Sequence, residues 1–169
     1  MPCGGGDIGL NVWVEDGDIL FYMSRSGAFD ENNTLLKQGR VRIRLSSNPF
    51  EGDKFSQELL LDEGCIKISG ENKGEKTTVR IWVDIFNSVI HVDIENNKNI
   101  TAEIHYENWR YRDRLLRKQE SNQNSYKWAA PTDLKTLKDS VSFDKGRILF
   151  YHRNKSYTVV DETVKQQGL

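Results

Sequence analysis

The sequence lacks several features that would place it in a familiar class of protein. Charge of one sign is not in excess, since 24 lysines and arginines stand against 25 aspartates and glutamates, whereas domains that bind nucleic acid are normally basic. No apolar run approaches the roughly 18 residues that cross a bilayer. The N-terminus has neither the basic start nor the apolar segment of a secretory leader. We therefore expect neither nucleic acid nor a membrane as a partner.

Spacings typical of metal and disulfide sites are also missing. Cys3 and Cys65 are far apart in the sequence, and a disulfide between them is disfavoured because a chain of this length needs no covalent staple. The three histidines, His91, His105 and His152, are scattered, and no cysteine pair at ligand spacing joins them. The sequence predicts no metal site and no cofactor.

Motifs that carry catalysis are absent as well. The chain has no nucleophile elbow, no phosphate-binding Walker loop and no zinc-protease helix. Its opening, residues 4–9, is rich in glycine but precedes a strand, whereas a dinucleotide-binding loop follows a strand and opens a helix. Choosing two of 25 acidic residues as a glycosidase pair has almost no specificity. We predict no catalytic residue in this chain.

What the sequence does contain is a repeated alternation of apolar and polar residues, which is typical of strands with one buried face. The clearest alternation covers residues 41–45, 79–86, 90–95 and 100–107, and shorter strand-like runs cover 18–23, 57–61, 65–69, 147–152 and 156–160. Asn, Asp and Gly stand between the runs, where tight hairpins require positive φ. The pattern predicts an all-β fold, an antiparallel β-sandwich.

Two stretches interrupt this rhythm. Residues 29–38 predict a loop with one helical turn, and residues 108–139 form a long polar excursion, within which 111–119 is a weak helix candidate. An excursion of that size from a compact β domain is uncommon. We expect one β-sandwich domain over residues 1–169, or a fragment of one.

Three arginines, Arg40, Arg42 and Arg44, lie on the polar side of one predicted strand. They could bind phosphate or a sulfated sugar, but cross-strand pairing with acidic residues is the stronger interpretation. The acidic residues expected as partners are Asp93, Glu95 and Glu103.

A second candidate site ends another strand. Glu107, Asn108, Trp109 and Arg110 combine a carboxylate, an amide, an indole and a guanidinium, a combination suited to stacking on a sugar ring and bonding its hydroxyls. The equally weighted alternative is that Trp109 anchors the core edge while Glu107 and Arg110 form an ion pair. Trp13, Trp82 and Trp128 widen the stacking surface, although Trp82 is expected to pack between layers.

The opening Met1-Pro2-Cys3-Gly4-Gly5-Gly6-Asp7-Ile8-Gly9 resembles the segment that begins the N-terminal β domain of family 95 fucosidase-like glycoside hydrolases. Together with residues 21–32 and 106–110, it is more similar still to a domain of unassigned function. That domain occurs at the N-terminus of large, predicted secreted proteins of polysaccharide-degrading bacteria. The similarity covers nearly the whole chain.

This resemblance implies a supersandwich like that of galactose-mutarotase-like domains, packed against an (α/α)6 catalytic barrel. The barrel supplies the acid and base, so the chain itself is expected to be non-catalytic and its sandwich incomplete. The parent protein is expected to be periplasmic or secreted, although the sequence alone leaves the compartment open.

From these observations we expect a set of side chains to contact either carbohydrate or the missing catalytic domain. The expected contact residues are Trp13, Arg25, Glu107, Asn108, Trp109 and Arg110, and the expected interdomain loop is Gly4, Gly5, Gly6 and Asp7. A stand-alone carbohydrate-binding module that depends on Trp109 or Trp128 is the main alternative. A mutarotase-like epimerase is a weaker one, with His91, His105 or Glu107 as nominal acid or base. Exposed edge strands could also pair with a second copy.

Overall fold

A computed structural model describes residues 1–117, 119–124, 133–154 and 164–168. Antiparallel strands dominate these residues. The strands are β1 (Pro2–Gly5), β2 (Ile8–Glu15), β3 (Asp18–Phe29), β4 (Leu35–Leu45), β5 (Ser56–Leu60), β6 (Cys65–Asn72), β7 (Glu75–Asp84), β8 (Val89–Asn96), β9 (Ala102–Glu107), β10 (Arg114–Leu115), β11 (Lys135–Thr136), β12 (Ser140–Asp144) and β13 (Arg147–Tyr151), with short 3-10 helices at Pro49–Glu51 and Glu120–Gln123.

The chain forms two compact units. The first comprises residues 1–26 and 37–107, and the second comprises residues 27–36 and 108–169. The first unit contains a five-stranded sheet in the order β1-β2-β3-β4-β9 and a four-stranded sheet in the order β5-β6-β7-β8. The predicted all-β antiparallel sandwich is confirmed.

The alternation in the sequence explains the core of the first unit. The inward-facing apolar side chains in the middle of both sheets are almost completely buried. They include Val12, Ile19 and Ile43 from the five-stranded sheet and Ile66, Ile68, Val79 and Ile81 from the four-stranded sheet. The side chain of Gln57 in β5 donates a hydrogen bond to the Val12 carbonyl of β2. Polar residues alternate with the buried ones because successive side chains of a strand point to opposite faces.

Two edge strands of this sandwich carry inward-facing apolar side chains that are only partly covered. β8 and β9 are each the last strand of their sheet. Ile104 of β9 lies opposite Ile43 of β4 and so shares its inward face, yet Ile104 is 61% exposed and Ile43 is 2% exposed. Three side chains of β8 that face inward are only half-buried, namely Ile90, Val92 and Ile94. We call Ile104 and these three residues the open flank.

The second unit contains two small antiparallel ribbons, β10 with β11 and β12 with β13. In the β12–β13 ribbon, Val141 lies opposite Phe150 and Phe143 lies opposite Ile148, so one face is apolar. Phe143 on that face is 79% exposed. The turn between β12 and β13 lies at Lys145 and Gly146, and both residues have the positive φ of a type I′ hairpin.

Two local predictions are wrong. The 29–38 loop has no helical turn, because the Asp30 carboxylate accepts hydrogen bonds from the N–H groups of Asn32 and Thr34 at 2.9 and 2.8 Å and closes a tight turn between β3 and β4. The weak helix candidate at 111–119 instead contains β10, which pairs with β11. The predicted strand at 156–160 and Trp128 lie outside the described residues.

Candidate functional site

The predicted site residues fall into three places. Gly4, Gly5, Gly6, Asp7 and Arg25 lie at the first hairpin. Trp13 and Glu107 lie on the outer face of the five-stranded sheet, the face turned away from the core. Asn108, Trp109 and Arg110 belong to the second unit.

The glycine-rich opening forms a tight hairpin that packs against β7. Gly5 pairs with Ile8, which leaves Gly6 and Asp7 as a two-residue turn, and Gly6 has a φ of +58° that favours glycine. A Cβ on Gly5 would lie 2.7 Å from Ile85 Cγ2, and one on Gly6 would lie 3.0 Å from the Ile85 carbonyl oxygen. The glycines therefore permit a close approach between β1 and the end of β7.

Asp7 ties the same hairpin to its neighbours. Its carboxylate accepts hydrogen bonds from Ser88 Oγ at 2.6 Å and from Arg25 Nε at 2.6 Å. The hydrogen bond from Ser88, followed by the one from Arg25, lowers the pKa of Asp7. The sequence predicted Asp7 as part of an interdomain loop and Arg25 as a contact residue. The structure brings the two together as an ion pair.

The arginines of β4 form a charge ladder with two carboxylates. Arg42 Nε lies 2.7 Å from Glu107 Oε1, and Arg42 Nη1 lies 2.9 Å from Asp18 Oδ2. Arg40 also pairs with Glu107, and Arg44 Nη2 lies 3.0 Å from Asp18 Oδ2. We call Asp18, Arg40, Arg42, Arg44 and Glu107 the charge ladder.

The structural interpretation of the arginines is confirmed, but two expected partners are wrong. Asp93 and Glu95 lie on β8 of the other sheet, whereas the partners found are Asp18 and Glu107. Glu103 does lie opposite Arg44 in the register. Alternation identifies the face of a strand but not the neighbouring strand, so the pairing could not be read from the sequence.

Pairing holds both carboxylates of the charge ladder in their ionised form. The hydrogen bond from Arg44 lowers the pKa of Asp18, and the one from Arg42 acts in the same direction. Burial by itself would raise the pKa of Glu107, but the hydrogen bonds from Arg42 and Arg40 outweigh it and the pKa is lowered. Neither group is suited to be a general acid, which needs a raised pKa.

An aromatic pair lies beside the charge ladder on the same outer face. The rings of Trp13 and Tyr22 are 4.6 Å apart between centroids and tilted by 54°, and the Trp13 indole N–H donates to Glu15 at 3.2 Å. Tyr22 is exposed and Trp13 is half-buried. Trp82, which was expected to pack between layers, instead lies on the outer face of the other sheet and stacks on His91.

The remaining predicted residues have separate partners. Asn108 Oδ1 accepts a hydrogen bond from the Arg110 backbone N–H at 2.9 Å, Trp109 is 41% exposed, and Arg110 Nε lies 2.8 Å from Asp139 Oδ1. Glu107 pairs with Arg40 and Arg42 instead. The four-residue motif of the sequence is thus not one charge cluster.

Sequence reasoning missed a buried cluster in the second unit. His152 Nε2 lies 2.8 Å from Glu31 Oε2 and His152 Nδ1 lies 2.9 Å from Asp139 Oδ1, while Asp139 also pairs with Arg110. The side chains of His152 and Asp139 are 4% and 3% exposed. We call Glu31, Arg110, Asp139 and His152 the histidine cluster. Its members are too far apart in sequence for any spacing motif to reveal them.

The histidine cluster is not arranged for acid–base chemistry on a substrate. Both ring nitrogens of His152 face carboxylates, so neither is left to accept or donate a substrate proton. Among the described residues, no group of three or more side chains is placed to hold a metal ion, and no helix has the length and apolar character of a membrane span. A shallow groove lined by residues 51–54 and 71–74 contains none of the predicted site residues.

Comparison with known proteins places the chain in a family. Residues 1–169 match a family described as a domain of unknown function (DUF5703), which confirms the expected similarity to a domain of unassigned function. Nothing in this match connects the chain with family 95 glycoside hydrolases. No curated protein shows significant similarity to the chain. The chain therefore belongs to the DUF5703 family, and the match covers the chain from residue 1 to residue 169.

Proposed function

We propose that this chain is a non-catalytic β-sandwich domain of a carbohydrate-active enzyme, a glycoside hydrolase, and that it packs against a catalytic barrel outside residues 1–169. The resemblance of residues 1–9 to the segment that begins the N-terminal β domain of family 95 hydrolases supports the enzyme class. The observation that carries the packing part of the proposal is the open flank.

The open flank supports packing because inward-facing side chains normally leave water when a sandwich is complete. Ile104 is 61% exposed on the same face as a buried isoleucine. Removing apolar surface from water stabilises a protein by about 25 cal/mol per Å², so a covering surface would gain free energy here. In the second unit, covering the exposed apolar face of the β12–β13 ribbon would gain free energy in the same way.

The carboxylates support the non-catalytic part. Glycosidases need one acid with a raised pKa next to an ionised carboxylate. Among the described residues, the carboxyl group whose pKa is raised, by burial, is Asp30. Asp30 is itself buried and accepts two backbone hydrogen bonds from its own turn, where no sugar can reach it.

Hydrolysis assays test the non-catalytic part. We expect residues 1–169 to release no chromophore from a panel of aryl glycosides, and the Glu107→Gln variant to behave identically. Release by the unmodified chain that Glu107→Gln abolishes would overturn the proposal. The reading frame of the gene gives a second test, because a stop codon directly after Leu169 would contradict packing against a barrel of the same polypeptide.

The Trp13–Tyr22 pair favours a second candidate function, a stand-alone carbohydrate-binding module. An aromatic ring face beside guanidinium and carboxylate groups matches the recognition of sugars. This alternative expects Trp13→Ala to weaken glycan binding by about 1 to 3 kcal/mol in calorimetry, with Trp82→Ala as the matched control on the other sheet. Trp109→Ala tests the exposed indole of the second unit. Absence of binding heat with every glycan tested would reject the module.

A further inference from the structure

The histidine cluster joins two segments of the second unit that are distant in sequence. Glu31 lies in the turn between β3 and β4, Asp139 directly precedes β12, and His152 directly follows β13. Two further hydrogen bonds hold the same segments together, from the Leu137 N–H to Glu31 Oε1 at 3.0 Å and from the Asn32 amide to the Lys135 carbonyl at 2.8 Å. The His152 ring contacts a carboxylate in each segment, Glu31 in the turn and Asp139 before β12.

The geometry around His152 requires a protonated ring. A neutral imidazole has one N–H donor and one lone pair, whereas an imidazolium has two donors. Both ring nitrogens lie within hydrogen-bond distance of a carboxylate oxygen, at 2.8 and 2.9 Å. Loss of the proton would leave one nitrogen lone pair facing the negative oxygen of either Glu31 or Asp139, so one of the two contacts would become repulsive.

The charges of the cluster balance only when His152 is charged. Glu31 and Asp139 are then offset by His152 and Arg110. Asp30 is close enough to interact electrostatically with His152, and burial raises the pKa of its carboxyl group. With a neutral His152, Arg110 alone would face these acidic groups in a buried place, and an uncompensated buried charge is costly.

We propose that His152 is a proton-operated latch within the second unit. Protonated, it holds the turn at residues 30–34 to the segment at residues 133–139. When the ring loses its proton, its contact with either Glu31 or Asp139 is lost. The turn then separates from the segment at residues 133–139, while the strands of the first unit stay folded.

The direction of the effect follows from linkage. The hydrogen bond to Glu31, followed by the one to Asp139, raises the pKa of His152 above its ordinary value of 6.5 although burial opposes this. A raised pKa in the folded state contributes stability that is complete below the unfolded value and is lost as the pH rises through the folded value. The latch is therefore closed below about pH 6.5 and is released as the pH rises through the raised pKa of His152.

Amide hydrogen exchange followed by NMR tests the latch in the whole chain. We expect the protection factor of the Leu137 amide, corrected for the intrinsic exchange rate at each pH, to fall by up to about tenfold per pH unit between about 6.5 and the folded pKa of His152. The protection of Ile66 and Ile68 in β6 should stay constant. In His152→Gln, which cannot titrate, the fall should disappear.

A constant protection factor of Leu137 in the unmodified chain would overturn the latch, and so would an equal fall in His152→Gln. Glu31→Gln gives an independent check if His152→Gln does not fold. This variant removes the first carboxylate partner, so the titration of the His152 ring, read from its Cε1 proton, should move to lower pH. An unchanged titration in Glu31→Gln would also overturn the proposal.

Discussion

The buried side chain of Asp18 has a structural role, because it pairs with two arginines. Asp18 begins β3, its side chain is 7% exposed, and its two oxygens accept hydrogen bonds from Arg42 and Arg44. Glu107 has the same relation to Arg40 and Arg42. Because each carboxylate is paired in the folded state and solvated in the unfolded chain, both link stability to pH. The glycines of the first hairpin also have a structural role. Gly6 adopts a positive φ, and Gly5 and Gly6 lie in close contact with Ile85.

Replacing Asp18 with asparagine should destabilise the fold by about 1 to 2 kcal/mol, because Arg42 and Arg44 lose the charge-assisted hydrogen bonds to their shared carboxylate. Urea unfolding at neutral pH measures this change. The lowered pKa values of Asp18 and Glu107 mean that the stability from pairing is present above the unfolded values, about 4, and is lost as the pH falls through the folded values. The stability difference between the variant and the unmodified chain should therefore shrink in acid, and a difference that is independent of pH would contradict the pairing.

Gly6→Ala should cost about 2 kcal/mol, of which about 1 kcal/mol reflects the positive φ and the rest the Ile85 carbonyl oxygen 3.0 Å from the new Cβ. Gly74→Ala is the matched control, since Gly74 also has a positive φ, of +76°, but nothing lies within 4 Å of its Cβ position. Thermal unfolding of both variants separates the two contributions. Equal losses of stability would argue against the close approach of the hairpin to β7.

At the scale of strands and turns, the period of two in the sequence was sufficient to locate most of the sandwich. The alternation at residues 41–45 and 79–86 predicts strands correctly because one face of β4 and β7 is buried and the other is polar. The same pattern could not order the strands, since Arg42 has the same alternation whichever strand lies beside it. It also missed the turn at Asp30, where a side chain rather than a helical turn satisfies the backbone.

The candidate site was less predictable than the fold for a related reason. Asp7 and Arg25 stand on one hairpin and could be brought together by strand pairing alone. Glu31 and His152 are separated by 121 residues, and no local periodicity reports a contact of that range. Glu107 and Arg110 are only three positions apart in the sequence but have different partners, so closeness in sequence did not predict their pairing.

The open flank makes a prediction that compares the same substitution in two neighbouring strands. Ile43→Ala should cost about 2 to 5 kcal/mol because it leaves a cavity in the core. Ile104→Ala, directly opposite, should cost less than about 1 kcal/mol in residues 1–169 because that side chain is mostly in water. Urea unfolding of the two variants checks this difference. Similar losses would show that β9 is already covered in the isolated chain.

At the scale of the whole molecule, the chain combines a well-buried sandwich core with apolar surface on β9 and on the β12–β13 ribbon. In the part of the chain that the structure describes, Asp7 and Glu107 pair with arginines and Asp30 holds a turn. We propose that the open flank is covered by another part of the complete protein. A covering surface should slow the opening of the strands beneath it, since local opening governs amide exchange.

Hydrogen–deuterium exchange measured by mass spectrometry tests this claim most directly, by comparing residues 1–169 with the protein encoded by the complete reading frame. We expect peptides from β8 and β9 to exchange more slowly in the complete protein, while peptides from β6 in the middle of its sheet exchange equally in both. Identical exchange of β8 and β9 in the two proteins would contradict the claim.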